Sequence, residues 1–245
     1  MKIFLDGKMA GADKRQLDDL APGRLKGLGM FETMRIVGGE PFLLEDHLRR
    51  MTRGLKLAGL KNPFTPDRWR TLIHETMKAN HLRQARIRLT VWKDGSRRHD
   101  SVICRPLVLP SAEQYRRGRR VIVSSVRRPL SRLSHVKSTD YGVFLKAQEE
   151  AKHRGADEAL MLNVKGHVVE AARSNIFWIR NNTLFTPAVS TGCLNGITRR
   201  IIVTLARERG WKVSIVEAPL NDLLRADSVF LTNSIVGVMP VRSIK

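Results

Sequence analysis

Along this chain the apolar residues change period several times, and the order of those changes limits the architecture more than any single residue does. Residues 85–92 alternate, with Ile87, Leu89 and Val91 on one face and Arg86, Arg88 and Thr90 on the other, the pattern of a half-buried strand. Two helix-like stretches precede it: 45–60, with Leu48, Met51 and Leu55, and 67–80, with Trp69, Leu72, Ile73 and Met77. Residues 2–5, 32–37, 41–44 and 102–109 read as further strands. Gly38-Gly39-Glu40 makes a hairpin of the second and third, and Pro106 argues for an edge or a bulge. The pattern lapses at 113–119, a polar, basic stretch that predicts a linker. Beyond it, strands at 120–126, 159–162, 167–170, 175–179, 183–185, 212–217 and 228–232 surround helices at 143–153 and 198–209 and a helical turn at 221–226. Such mixing, without regular βαβ alternation, predicts an α+β chain in two lobes, 1–112 and 120–245. No G-x-G-x-x-G follows a strand, so nucleotide-fold signatures are absent.

Charge raises one further class. The 44 basic and 23 acidic residues leave a net charge of +21, which brings a nucleic-acid binder into consideration. The densest basic run, Arg116, Arg117, Arg119, Arg120, Arg127, Arg128 and Arg132, has no aromatic residue interleaved. A base-stacking surface is therefore not suggested. The reading is a solvated arginine-rich surface with no nucleic-acid partner, and attraction of small anions is the milder functional alternative. No apolar run reaches the roughly 18 residues of a membrane helix, and the N-terminus lacks a secretion signal. Cys104 and Cys193 match no metal spacing, so no metal is expected. Both read as inert thiols of a reducing cytoplasm.

Three segments carry chemistry. Lys137 stands in Ser134-His135-Val136-Lys137-Ser138-Thr139-Asp140-Tyr141, between a strand and a helix. Glu170 ends an apolar strand, where a carboxylate is costly unless a cation faces it. Asn195-Gly196-Ile197-Thr198 opens a helix whose exposed N–H groups suit a phosphate.

Taken in order, K-x-x-x-Y, E-x-x-x-S-N-I-F and N-G-I-T-R resemble the class IV (fold type IV) pyridoxal 5′-phosphate (PLP) enzymes. These include branched-chain aminotransferases, D-amino-acid transaminases and 4-amino-4-deoxychorismate lyases. The segments GLGMFETMRIVGGEPFLLEDHLRRM and ADSVFLTNSIVGVMPV are similar to the family's G-x-G-x-F-E-T-x-R and H-x-x-R-[LM] motifs and to its last phosphate loop. The resemblance implies a two-lobed, D-amino-acid aminotransferase-like fold and a homodimer, with the active site between the lobes and completed by a partner loop. It implies that Lys137 carries PLP as a Schiff base and that Glu170 stays ionised beside the pyridine nitrogen, so that the ring serves as an electron sink. It makes Tyr141 the partner of the 3-oxygen and Arg50 the phosphate clamp. The N–H groups of Ile197 and Thr198, with Ser234 and the N–H of Ile235, complete the phosphate cup. His47 reads as structural. Leu28 and Asp140 depart from the acid and the asparagine common at those positions in the family.

Kinship does not fix the reaction. Thr33, in F-E-T-x-R, resembles the lyases, whose threonine sits by the lysine. The expected activity is therefore conversion of 4-amino-4-deoxychorismate to 4-aminobenzoate and pyruvate, a step toward folate. The alternative is a class IV aminotransferase for D-amino acids or branched-chain amino acids. Arg97, Arg98 and His99 contain an R-x-H pair like the one with which D-amino-acid transaminases hold a substrate carboxylate. They predict an anionic amino substrate.

Overall fold

The computed structural model describes residues 1–245. The chain forms two compact units: Met1–Val108 with Val136–Tyr141, and Leu109–His135 with Gly142–Lys245.

The first unit contains β1 (Lys2–Leu5), β2 (Lys8–Gly11), α1 (Lys14–Asp19), β3 (Leu28–Val37), β4 (Glu40–Pro41), α2 (Leu44–Leu57), α3 (Pro66–Ala79), β5 (Ala85–Asp94) and β6 (Arg97–Pro106). The strands make one six-stranded sheet in the order β2-β1-β6-β5-β3-β4, with every neighbouring pair antiparallel. Strict alternation sorts the two faces. Met30, Met34, Ile87, Leu89, Val91, Val102 and Cys104 are buried on the face that carries α2 and α3, whose Leu48, Met51, Leu55, Trp69, Leu72 and Ile73 complete this core. Ile3 and Ile103 lie on the opposite face and pack with Ala12 and with Leu17 of α1. The same face carries Phe31, Thr33 and Arg35, paired with Thr90, Arg88 and Arg86. The β3–β5 approach is close enough that a Cβ on Gly29 would stand 2.1 Å from the Val91 carbonyl oxygen, so only glycine fits there.

The second unit contains α4 (Ala112–Arg117), β7 (Arg119–Val123), α5 (Gly142–His153), β8 (Glu158–Leu162), β9 (Val168–Ala171), β10 (Asn175–Arg180), β11 (Thr183–Pro187), α6 (Ile197–Glu208), β12 (Lys212–Val216), α7 (Leu220–Leu224), β13 (Ser228–Asn233) and β14 (Gly237–Ile244). Its sheet runs β12-β11-β10-β13-β14-β7-β8-β9. β7–β8 and β11–β12 are parallel pairs, bridged by α5 and α6. A parallel pair needs such a crossover, so the unit holds two βαβ units where the sequence reading found no regular alternation. Val121, Leu160, Leu162, Ile176, Trp178 and Leu231 form its main core.

Several boundaries differ from those read in the sequence. The segment 113–119 is not a linker but helix α4 and the start of β7. Its start is fixed by a capping box between Ser111 and Gln114. Tyr115 Oη then donates to the Val236 carbonyl at 2.6 Å, which ties α4 to the β13–β14 turn. The lobes are not contiguous, because residues 136–141 belong to the first unit. β6 begins at Arg97, not at 102, and 41–44 gives way to α2. No helix is long and apolar enough to cross a membrane.

Candidate active site

Lys137 is placed by backbone pairing. The Phe31 N–H donates to the Lys137 carbonyl at 3.0 Å, and the Thr139 N–H donates to the Gly29 carbonyl at 2.8 Å. Thr139 Oγ1 accepts from the Gly29 N–H at 2.8 Å. Residues 137–139 thus extend the sheet antiparallel to the start of β3, with Met30 bridged to Ser138. Opposed residues share a face, and Lys137 Nζ lies 4.5 Å from the centre of the Phe31 ring. Tyr141 meets that ring edge-on at 5.6 Å. Thr33 follows two residues along the same face, opposite Arg88.

Glu32 points to the other face and is fully buried. Its Oε1 accepts from Arg50 Nε at 2.8 Å and its Oε2 from Arg50 Nη2 at 2.6 Å. His47 Nδ1 shares Oε2 at 2.6 Å. Burial alone would raise the Glu32 pKa, but the Arg50 charge and hydrogen bonds, with those of His47, outweigh it and hold the carboxyl at about 2. The stabilisation this gives is present above the ordinary carboxylate value and is lost as pH falls toward 2.

In the second unit Glu170 sits on β9, buried. Its Oε2 accepts from Asn175 Nδ2 at 3.2 Å and from the Leu194 N–H at 3.2 Å. Asn175 Nδ2 also donates to the Leu194 carbonyl at 2.8 Å, so β10 holds the loop that leads into α6. That helix starts at Ile197 behind Gly196, which offers no side-chain cap. Its first N–H groups therefore look for an outside acceptor. Arg199, in the first turn, is buried and donates to Thr186 Oγ1, the Pro187 carbonyl and Asn195 Oδ1. Ser234, Ile235 and Val236 form the turn between β13 and β14. There the N–H groups of Ile235 and Val236 donate to Asn233 Oδ1 at 2.9 and 3.0 Å.

The profile of the family "Amino-transferase class IV" matches residues 29–244. This chain belongs to the class IV aminotransferase family. A Methanocaldococcus jannaschii protein provisionally named a branched-chain-amino-acid aminotransferase is 35% identical over 98% of this chain and 87% of its own. The aminodeoxychorismate lyase of Bacillus subtilis is 29% identical, over 99% of this chain and 86% of its own. Among solved structures, a branched-chain aminotransferase from T.th., determined with pyridoxamine 5′-phosphate, superposes with a TM-score of 0.86 at 27% identity, covering 99% of this chain and 85% of that one. The class IV enzyme is accordingly a PLP enzyme of the type IV fold. Its residues fit that cofactor chemically: a lysine amine, a buried carboxylate, a held guanidinium and an uncapped helix N-terminus.

The substrate residues read from the sequence sit differently. Arg97 and His99 are already engaged by a carboxylate of the class IV enzyme itself, Asp6 Oδ2, at 3.5 and 2.7 Å. The His99 ring also stacks on Trp92 at 5.0 Å. Arg98 is exposed at the same hairpin. The sequence reading missed Arg88. It lies on the Phe31 and Thr33 face, with Nε and Nη2 buried and unpartnered. Burial, followed by the neighbouring charges of Arg105 and Arg86, lowers its pKa to about 10 against a weaker pull from Asp18. The only sequence signal was its place on the polar side of an alternating strand, which reads as solvent-facing.

Gly196 offers a local test. Its φ is −64°, which any residue can adopt, but an added Cβ would lie 1.9 Å from Asn175 Oδ1. Gly196→Ala must push Asn175 away from Glu170 and Leu194. We expect a stability loss of about 1–3 kcal/mol together with weaker PLP retention, measured by thermal melting and by dialysis of the holoenzyme. A normal melt with normal retention would show that this approach does not matter.

Proposed function

We propose that this enzyme is a PLP-dependent aminotransferase whose amino donors are branched-chain amino acids. One observation carries the reading: the Methanocaldococcus jannaschii relative, so named, is the more similar at 35% over 98% of the chain, against 29% for the lyase. The lyase reading drawn from Thr33 therefore becomes the second. In the first reading Lys137 carries the cofactor and moves the substrate proton, with Glu170 at the ring nitrogen and Tyr141 at the 3-oxygen. Arg50, the N–H groups of Ile197 and Thr198, and Ser234 hold the phosphate. Ile235 joins them to the extent that its N–H can be shared with Asn233. The bound cofactor supplies the electron sink. The homodimer implied by the resemblance belongs to the same reading.

Arg88 supports a carboxylate-bearing substrate, because a buried guanidinium without partners gains most from an incoming anion. The test is to give the holoenzyme leucine, isoleucine or valine with 2-oxoglutarate, D-alanine with 2-oxoglutarate, and aminodeoxychorismate, and to follow glutamate, pyruvate and 4-aminobenzoate. Glutamate from the branched-chain donors is the expected result. Arg88→Met should raise the KM of a substrate carboxylate roughly 10–100-fold, the worth of a charged hydrogen bond. It should leave the melting temperature unchanged or higher, because an unpaired buried charge is gone. The second reading is favoured by Thr33, which shares the face on which Lys137 meets Phe31. It would prevail if 4-aminobenzoate alone formed and Thr33→Val slowed it at least about tenfold.

A further inference from the structure

Glu32, His47 and Arg50 form a group that neither the sequence motifs nor the proposed reaction explains in full. Arg50 carries the cation, yet the two buried residues decide how it is held. Glu32 accepts from two nitrogens of one guanidinium edge, at 2.8 and 2.6 Å, which is the planar fork that an arginine and a carboxylate form together. His47 holds the same Oε2 at 2.6 Å through Nδ1. Its Nε2 is buried and makes no hydrogen bond. Both His47 and Glu32 are about as buried as side chains can be, at 1% and 0% exposure, whereas Arg50 keeps 14%. The group is therefore graded. A sealed carboxylate and imidazole stand behind a guanidinium that still reaches the surface of its unit.

We propose that Glu32 and His47 are positioning residues for Arg50, fixing its guanidinium in advance for the phosphate of the cofactor. The inference rests on the reading of Arg50 as the phosphate clamp. A long arginine side chain loses much rotamer freedom when an anion immobilises it, and an arginine already ordered loses little. Glu32 sits on β3 and His47 and Arg50 on α2, so the fork also sets the guanidinium against the strand that holds Lys137 through Phe31. Glu32 partly offsets the charge of Arg50. Its net effect on cofactor affinity is favourable because orientation outweighs that loss. His47 restrains Oε2, the atom that Arg50 Nη2 and the imidazole share.

The experiment compares PLP retention by dialysed holoenzyme, read from cofactor absorbance, with thermal melting, in Arg50→Ala, Glu32→Gln and the double variant. Glu32→Gln keeps the shape and breaks the fork, because an amide presents only one acceptor. Its PLP affinity should fall roughly tenfold. The double variant should bind PLP no more weakly than Arg50→Ala alone, because Glu32 acts through Arg50. It should also melt above Arg50→Ala, which leaves the Glu32 carboxylate buried without its cation. His47→Asn keeps an N–H donor near the Nδ1 position and should retain PLP within about twofold, whereas His47→Leu should lose several-fold. A lower melting temperature in Glu32→Gln with unchanged PLP affinity would overturn the proposal, and so would effects that multiply in the double variant. Unchanged affinity in Arg50→Ala would instead remove the clamp reading on which the proposal stands.

Discussion

Lys137→Ala is expected to lose turnover by about 10⁴-fold or more while the protein stays folded. The fold tolerates the change because the backbone of Lys137, not its side chain, joins the sheet: its carbonyl accepts from Phe31, and the neighbouring Ser138 is bridged to Met30. What disappears is one amine, held 4.5 Å from the Phe31 ring centre on the face that carries Thr33 and Arg88. That amine would serve twice, as the attachment point of the cofactor and as the base that moves the substrate proton. General acid–base groups contribute 10²–10⁴-fold, and loss of the nucleophile adds to that. Borohydride reduction of wild-type holoenzyme followed by peptide mapping should find the label on Lys137. The variant should bind PLP without a covalent link and fail to aminate keto acids. Label on another lysine, or a variant within tenfold of wild type, would remove Lys137 from its role.

The parts of the candidate site that were legible in the sequence are those where one residue type stands at a fixed spacing from its neighbours. Lys137, Glu170 and the Gly196-Ile197 helix start stand in motifs, and the chain's family follows from them. The second helix was legible because period 3.6 shows through Leu48, Met51 and Leu55, all buried in α2. Other elements were hidden for physical reasons. α1 and α4 are six residues long, too short for periodicity, and only their capping boxes, Asp13 with Gln16 and Ser111 with Gln114, announce them. β14 contains Pro240, which argues against an interior strand although its register places Pro240 opposite Phe230. Residues 136–141 read as a connection before a helix, because nothing local tells a segment which sheet its backbone will join. Arg88 was hidden by the same logic: alternation tells which face a residue takes, not whether that face meets water. Arg97 and His99 show the converse limit of spacing. Their spacing was suggestive, but Asp6, 91 and 93 residues away in sequence, supplies the carboxylate.

Glu170→Gln should keep PLP bound and lower turnover roughly 10²–10³-fold, the range seen when one preorganised electrostatic contact is removed from an active site. The side-chain oxygen that accepts from Asn175 Nδ2 and the Leu194 N–H is still present in glutamine, so the loop into α6 keeps its anchor. Retention of PLP should therefore survive. The negative charge is what disappears. A neutral amide cannot favour a protonated pyridine nitrogen, and the ring becomes a weaker electron sink. A control separates this from the ordinary cost of touching a buried carboxylate. Glu158, on β8, is also fully buried, and burial raises its pKa against the pull of Arg173 and Arg119, whose nitrogens lie 3.7 and 3.8 Å away. Glu158→Gln leaves those arginines near a neutral group and should cost stability, with turnover per bound cofactor close to wild type. Rates normalised to PLP content, measured beside melting temperatures, tell the two variants apart. If Glu170→Gln turned over like wild type, or if Glu158→Gln lost as much activity per cofactor, Glu170 would be one more buried carboxylate and the ring nitrogen would need another partner.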